Sequence, residues 1–205
     1  MNDLQIVIPM AGAGQRFKDA GYDRPKPFID VDGQPMMIRV LSNLPASNWR
    51  LLLMLSEHGL DRRCLSVEDV RRLYEILNVS QVIEVSSVTS GAACTVLLAD
   101  GHVEDTKPIL IANCDQWLDW SPEHFVDFVR RDGCDGAIVT FRASGTKWSY
   151  ADVREDGTVS AVVEKVPISK DGTAGLYYWL RAGDCFNSIK RMMAKNLRVA
   201  GEFYI

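Results

Sequence analysis

The sequence predicts an α/β fold: a mostly parallel mixed sheet flanked by helices, with a small antiparallel annex. Three observations predict it. From residue 5 to residue 141, short apolar runs alternate with helical patterns, as in a doubly wound sheet with right-handed crossovers. The first of those runs is apolar at successive positions, as a central strand covered on both faces should be. After Phe141 the pattern changes to a hairpin signal over residues 150–159, with Asp156-Gly157 at its turn.

The elements follow in order. The first strand covers Gln5–Met10, and a long polar loop runs from it to Arg24. Residues 28–35 read as a short strand and turn, and Pro35 is placed to open the next helix at its first position. Residues 36–43 have helical spacing, with Met37, Val40, Leu41 and Leu44 on one face. A second buried strand is expected over 50–56. An amphipathic helix is expected over 61–77, with Leu65, Val70, Leu73, Ile76 and Leu77 inward. Residues 81–85 form a third strand, 86–91 a small polar loop and 92–100 a helix of small and aliphatic residues. A fourth strand over 108–112 ends at Asn113-Cys114-Asp115-Gln116, a helix spans Pro122–Arg131, and 136–141 is a fifth strand. Beyond the hairpin turn, 159–165 and 173–179 are strand-like and 182–195 is a last helix.

A chain of 205 residues suffices for one such domain with a sizeable core, not two. The reading is therefore a single domain over 1–205, divided at about residue 141 into the alternating part and the annex. Hydrophobic residues are 47% and charged residues 24%, and the formal net charge is −4. That balance, with no basic stretch, argues against nonspecific nucleic-acid binding. The cysteines at 64, 94, 114, 134 and 185 stand far apart, without a Cys-x-x-Cys pair or ligand spacing to the three histidines. Free thiols in a reducing cytoplasm are expected. The start, Met1-Asn2-Asp3-Leu4, lacks the pattern of a signal peptide, and the longest aliphatic run, 51–55, is too short to span a bilayer.

The chemistry is concentrated in Ile6-Val7-Ile8-Pro9-Met10-Ala11-Gly12-Ala13-Gly14-Gln15-Arg16-Phe17 and in Arg24-Pro25-Lys26-Pro27-Phe28. Gly12 and Gly14 lack a Cβ, so a polyanion can press against bare backbone N–H groups. Arg16 brings a planar fork for phosphate oxygens, and Lys26 is a point charge held between two prolines. Neither a P-loop nor a dinucleotide fingerprint fits, since Phe17 stands where the latter needs its third glycine. Ligands of doubly wound sheets sit beyond the carboxyl ends of the strands, and the Gly12 loop, the Gly91 loop and Asp115 all fall there. Asp115 ends a buried apolar strand, where a carboxylate is costly unless paired or metal-bound. Mg²⁺ takes one or two carboxylates together with phosphate oxygens and water, so Asp115 is the candidate metal ligand.

Gly-x-Gly-x-Arg-Phe after a strand, with Pro-Lys-Pro-Phe ten residues on, resembles the N-terminal signature of the sugar-1-phosphate nucleotidyltransferases. The resemblance covers residues 6–179. It implies a Rossmann-like fold of the GT-A type, with the NTP bound by about 1–141 and the sugar phosphate by about 142–205. It implies a Mg²⁺-dependent transfer of NMP from an NTP to a sugar-1-phosphate, giving an NDP-sugar and pyrophosphate for surface polysaccharide synthesis. In its terms Arg16, Lys26 and Asp115 are catalytic, with Asp115 also on the metal. Ala11, Gly12, Ala13 and Gly14 cradle the nucleotide, and Thr89, Gly91 and Ala92 lie against the base, with Ser90 also readable as a helix N-cap. Glu164 accepts a sugar hydroxyl, Lys165 meets the sugar phosphate, and Thr173 and Gly175 approach the acceptor. Tyr150 or Trp148 walls that pocket or belongs to the core, and Tyr177, Tyr178 and Trp179 are read as core. The family carries a second metal-binding aspartate after its last helix, whereas this chain ends at Gly201-Glu202-Phe203-Tyr204-Ile205, which reads as a shortened form. Two rival readings keep parts of this scheme: cytidylyl transfer to a phosphorylated alcohol such as phosphocholine, and an inactive subunit that binds nucleotide or sugar phosphate. The Asp-x-Asp motif of a metal-dependent glycosyltransferase is absent at the fourth strand. The base, the sugar and the oligomeric state, a homo-oligomer included, stay open at this level.

Overall fold

The structure, a computed structural model, describes residues 3–47, 49–55, 65–131 and 133–205. Its frame is four parallel strands: β1 (Gln5–Met10), β4 (Trp49–Leu55), β5 (Val79–Val85) and β6 (Ile109–Ala112), in the order β5-β4-β1-β6. Successive side chains of a strand point to opposite faces. In β1, Ile6 and Ile8 enter one core and Val7 the other, all at most 1% exposed. Helix α2 (Met36–Ser42) packs Met37, Ile38 and Leu41 into the first core. Helices α4 (Ala92–Leu97) and α6 (Ala182–Ala194), with α5 (Pro122–Arg131) between them in the chain, pack Ala93, Val96, Cys185, Phe186 and Ile189 of α4 and α6 into the second. Both faces of the sheet are thus covered, which is what allows its strands to be apolar throughout.

The carboxyl side of the sheet carries departures from the sequence reading. The loop after β1 contains a short helix, α1 (Gln15–Asp19). Lys26–Phe28 forms a 3-10 turn ahead of a two-stranded hairpin, β2 (Asp30–Val31) with β3 (Gln34–Pro35), separate from the main sheet. Pro35 ends β3 and occupies the position before α2 instead of opening it. The helix expected over 61–77 begins after Ser66, which caps it reciprocally with Asp69. Of that expectation, residues 61–64 and the Val70 side chain, like residue 56 of the second strand, lie outside the described residues. The helix α3 (Val67–Arg71) runs into a π-turn over Arg72–Ile76. A π-turn takes an extra residue, so the helical phase slips: Leu73 and Leu77 are buried, while Ile76, expected inward, is 56% exposed.

The second half joins the sheet by an antiparallel route. Strand β10 (Asp171–Trp179) runs between β6 and β7 (Gly136–Arg142). One edge of β10 takes β7, and the other takes β6 along residues 176–179 and β8 (Ser149–Val153) at residues 171–172. The hairpin partner β9 (Val159–Glu164) closes that side, after a turn with Gly157 at φ 83°. The annex therefore supplies an interior strand of the main sheet. Residues 172–178 are buried without a break, as suits a strand covered on both sides, and the run Gly-Thr-Ala-Gly-Leu-Tyr-Tyr carries no charge. The register of β10 shifts between Thr173 and Tyr177, and that irregularity opens the floor of a cleft.

Candidate active site

The first part of the candidate site is built from strand ends. Chain leaving β1 passes through Ala11–Gly14, and Gly14 takes the left-handed conformation, φ 64°, at the entry to α1. A side chain there would press on Lys26 Cβ at 3.3 Å, so glycine serves both the turn and the close approach of Lys26. Buried Pro27 and Phe28 anchor the turn that carries Lys26. Its Nζ lies 2.7 Å from Asp115 Oδ2, just past the end of β6, and 5.6 Å from the centre of the Phe17 ring. Burial opposes charge on Lys26, but Cys114 and Asp115 draw its pKa above the usual lysine value. Burial also pushes the Cys114 thiol up to about 11, so it is neutral near pH 7 and Asp115 is the effective counter-charge there.

A cavity of about 410 Å³ opens over this pair. Gly12, Ala13, Gly14 and Arg16 line it together with Lys26, and so do Thr89, Gly91 and Ala92, and Asp115, Glu164 and Lys165. Ala11 also lines it, although the residue is itself 2% exposed. Gly91, φ 123°, occupies the cap position of α4, so Ser90 does not cap that helix. Thr89 donates its hydroxyl to the Gly91 carbonyl at 2.9 Å and pairs with Thr95 at 2.6 Å. Its hydroxyl therefore braces the loop.

An adjoining cavity of about 200 Å³ contains Thr173, Gly175, Glu164 and Ala92. Gly175, φ 67°, makes the floor: a Cβ there would collide with Asn113 and Gln116, whose side chains fill the notch left by the register shift. Asn113 N–H donates to the Gly175 carbonyl at 2.9 Å, tying β6 to β10 at this point. Thr173 and Tyr177 pair their hydroxyls at 3.2 Å. Ser149 donates to Glu164, which also holds Lys165 Nζ at 3.1 Å. Tyr150 does not reach either cavity: it is fully buried and donates its hydroxyl to the Gly145 carbonyl at 2.7 Å. Trp148 takes the wall position instead, edge-on to Phe141. Tyr178 is core as read, whereas buried Tyr177 still reaches the second cavity.

Residues 6–196 match the model of the nucleotidyl transferase family. The chain belongs to the nucleotidyl transferase family. It is 22% identical over 180 residues to the mannose-1-phosphate guanylyltransferase catalytic subunit beta of Drosophila pseudoobscura, covering 86% of this chain and 48% of that protein. Over 137 residues it is 23% identical to the mannose-1-phosphate guanyltransferase of Emericella nidulans, covering 66% and 37%. The chain thus spans less than half the length of these curated relatives. Among solved structures, a nucleoside-diphosphate-sugar pyrophosphorylase from Vibrio cholerae RC9 superposes with a TM-score of 0.77 at 27% identity, covering 98% of this chain and 84% of that one.

The structure also brings in residues that sequence reasoning missed. Lys147, Asn113 and Gln116 line the cavities, and so do Glu202 and Tyr204 from the last residues of the chain. Asn113 and Gln116 flank Asp115, and the Asn-Cys-Asp-Gln run at a strand end was a signal for them. Nothing local marked Glu202 and Tyr204, because their place depends on a contact across the fold. Phe203 N–H donates to the Ser90 carbonyl at 2.8 Å, and Ala93 N–H donates to the Phe203 carbonyl at 3.1 Å. Gly91 lies so close to Phe203 that any Cβ would strike its backbone.

For a divalent cation, Asp115 offers a hard carboxylate facing the cavity, with one oxygen engaged by Lys26. Among the described residues no three acids, histidines or cysteines converge. That donor set fits Mg²⁺ in the mode that relies on one protein carboxylate, with phosphate and water completing the shell. No helix among the described residues is long and apolar enough to cross a membrane.

Proposed function

We propose that this chain transfers a nucleotidyl group from an NTP to a sugar-1-phosphate, with Mg²⁺ held at Asp115. The observation that carries the reading is the convergence of the Gly12–Gly14 loop, Arg16, Lys26 and Asp115 on one cavity, with Glu164 and Lys165 facing them. An oxygen of the acceptor phosphate attacks the α-phosphorus in line, the bond to the β-phosphate oxygen breaks, and pyrophosphate leaves with that electron pair. No covalent intermediate on the protein is required, so the side chains act by positioning and by neutralising charge. Arg16 balances the departing pyrophosphate, Lys26 the α-phosphate, and Lys165 the acceptor phosphate. Bound Mg²⁺ would supply charge neutralisation at phosphate oxygens. The mannose-1-phosphate guanylyltransferases and the NDP-sugar pyrophosphorylase named above support this substrate class. The amides of Asn113 and Gln116 and the hydroxyls of Ser149 and Thr173 in the second cavity give a polyol hydrogen-bonding partners.

The test is pyrophosphate release over a matrix of the common NTPs and sugar-1-phosphates, with and without Mg²⁺. Release that needs both substrates and the metal supports the reading. NTP binding without release for any acceptor favours an inactive binding subunit.

A further inference from the structure

We propose that Tyr204 is a positioning residue for the acceptor, holding the Lys165 ammonium over the cleft together with Glu164. The inference rests on the nucleotidyl-transfer reading and goes beyond it in giving the chain's last segment a role in acceptor recognition. Lys165 has φ 57°, although it is not a glycine. Asp32, Asn78 and Asn196, which share positive φ, are of the types that tolerate it; Lys165 and Ala200 are not, and of those two only Lys165 lines a cavity. Strain of this kind persists only where the surroundings over-determine it.

Three groups do so here. Lys165 N–H donates to the Trp148 carbonyl at 3.1 Å, Glu164 Oε1 lies 3.1 Å from Nζ, and the Tyr204 ring centre lies 5.8 Å from Nζ. Tyr204 lines both cavities, between the nucleotide half and the acceptor half. Its own position is fixed by its neighbour: Phe203 is buried, bonded to both sides of Gly91, and covered by the Arg198 guanidinium at 3.9 Å from its ring. The loop beside the base and the lysine of the acceptor side are thus joined through one segment. Contacts to Glu164 and Tyr204 hold the Lys165 pKa above the usual lysine value, as expected for an ammonium fixed in place.

The experiment compares wild type with Tyr204→Leu and Tyr204→Phe by steady-state kinetics and by trace acetylation of Lys165, read by peptide mass spectrometry. Tyr204→Leu should raise the acceptor KM about tenfold while the NTP KM stays within about twofold, and Tyr204→Phe, which keeps the ring but loses the hydroxyl that also meets Lys165, should fall between wild type and Tyr204→Leu. Lys165 should be acetylated several-fold faster in Tyr204→Leu, and inorganic phosphate should protect it in wild type but not in that variant. Equal Lys165 labelling in all three proteins, or NTP and acceptor KM rising together, overturns the proposal. If wild type turns over no acceptor, nucleotidyl transfer fails as a reading, and the phosphate-protection comparison still decides for or against Tyr204.

Discussion

Lys26 carries both chemistry and stability. Its side chain is 24% exposed and its partner Asp115 33%, so the pair lies between the exposed and the buried limits. Lys26→Ala, which leaves Asp115 partly buried without its partner, should lose about 1–3 kcal/mol in urea unfolding and still fold. Its turnover should fall about 100-fold or more, as loss of an electrostatic stabiliser does. The sign of its pH dependence follows from its raised pKa. The stability due to Lys26 is fully present below the ordinary lysine value of 10.5 and is lost as pH rises through the higher folded value. The stability difference between wild type and Lys26→Ala should stay level from neutral to mildly alkaline pH and shrink only above that window. Lys165 makes the complementary case. Lys165→Gly removes a left-handed lysine and should melt no lower than wild type, yet acceptor KM should rise. A lower melting temperature would show that the Glu164 pair outweighs the backbone strain.

Among the elements, β10 decides the shape of the cleft. Its shift between Thr173 and Tyr177 turns Gly175 left-handed and leaves a notch for Asn113 and Gln116. Gly175→Ala meets both a strained φ and a collision, so it should cost about 1–3 kcal/mol in urea unfolding and weaken acceptor binding. A stability loss without any change in acceptor binding would limit Gly175 to a folding role. The strand and helix pattern up to β7 was legible because apolar runs and helical spacing are local properties of the chain. The place of β10 was not, because pairing partners depend on crossovers that local pattern leaves undecided, although its unbroken burial was written in its small and apolar residues. Ile76 was misplaced for a related reason: a π-turn shifts helical phase without a composition cue.

For the molecule as a whole, the convergence of Gly12, Gly14, Arg16, Lys26 and Asp115 on one cavity was legible, since each sits at a strand end or a constrained loop and the sheet brings strand ends together. The second cavity was read less well. Tyr150 went to the core because its hydroxyl found the Gly145 carbonyl, and Tyr204 arrived from a segment with no motif of its own. The two-sided core also governs thiol chemistry. Burial pushes Cys114 to about 11 and Cys185 to about 12, so both should resist iodoacetamide at neutral pH in the folded state and react on unfolding. Rapid labelling of either in native protein would contradict the packing described. The joining of both halves in one cleft is tested most directly by a crystal structure with a non-hydrolysable NTP analogue and Mg²⁺. The phosphates should lie against the Gly12–Gly14 amides within reach of Arg16 and Lys26, with the metal on Asp115. Phosphates bound elsewhere on the molecule, with that loop and Lys26 untouched, would contradict it.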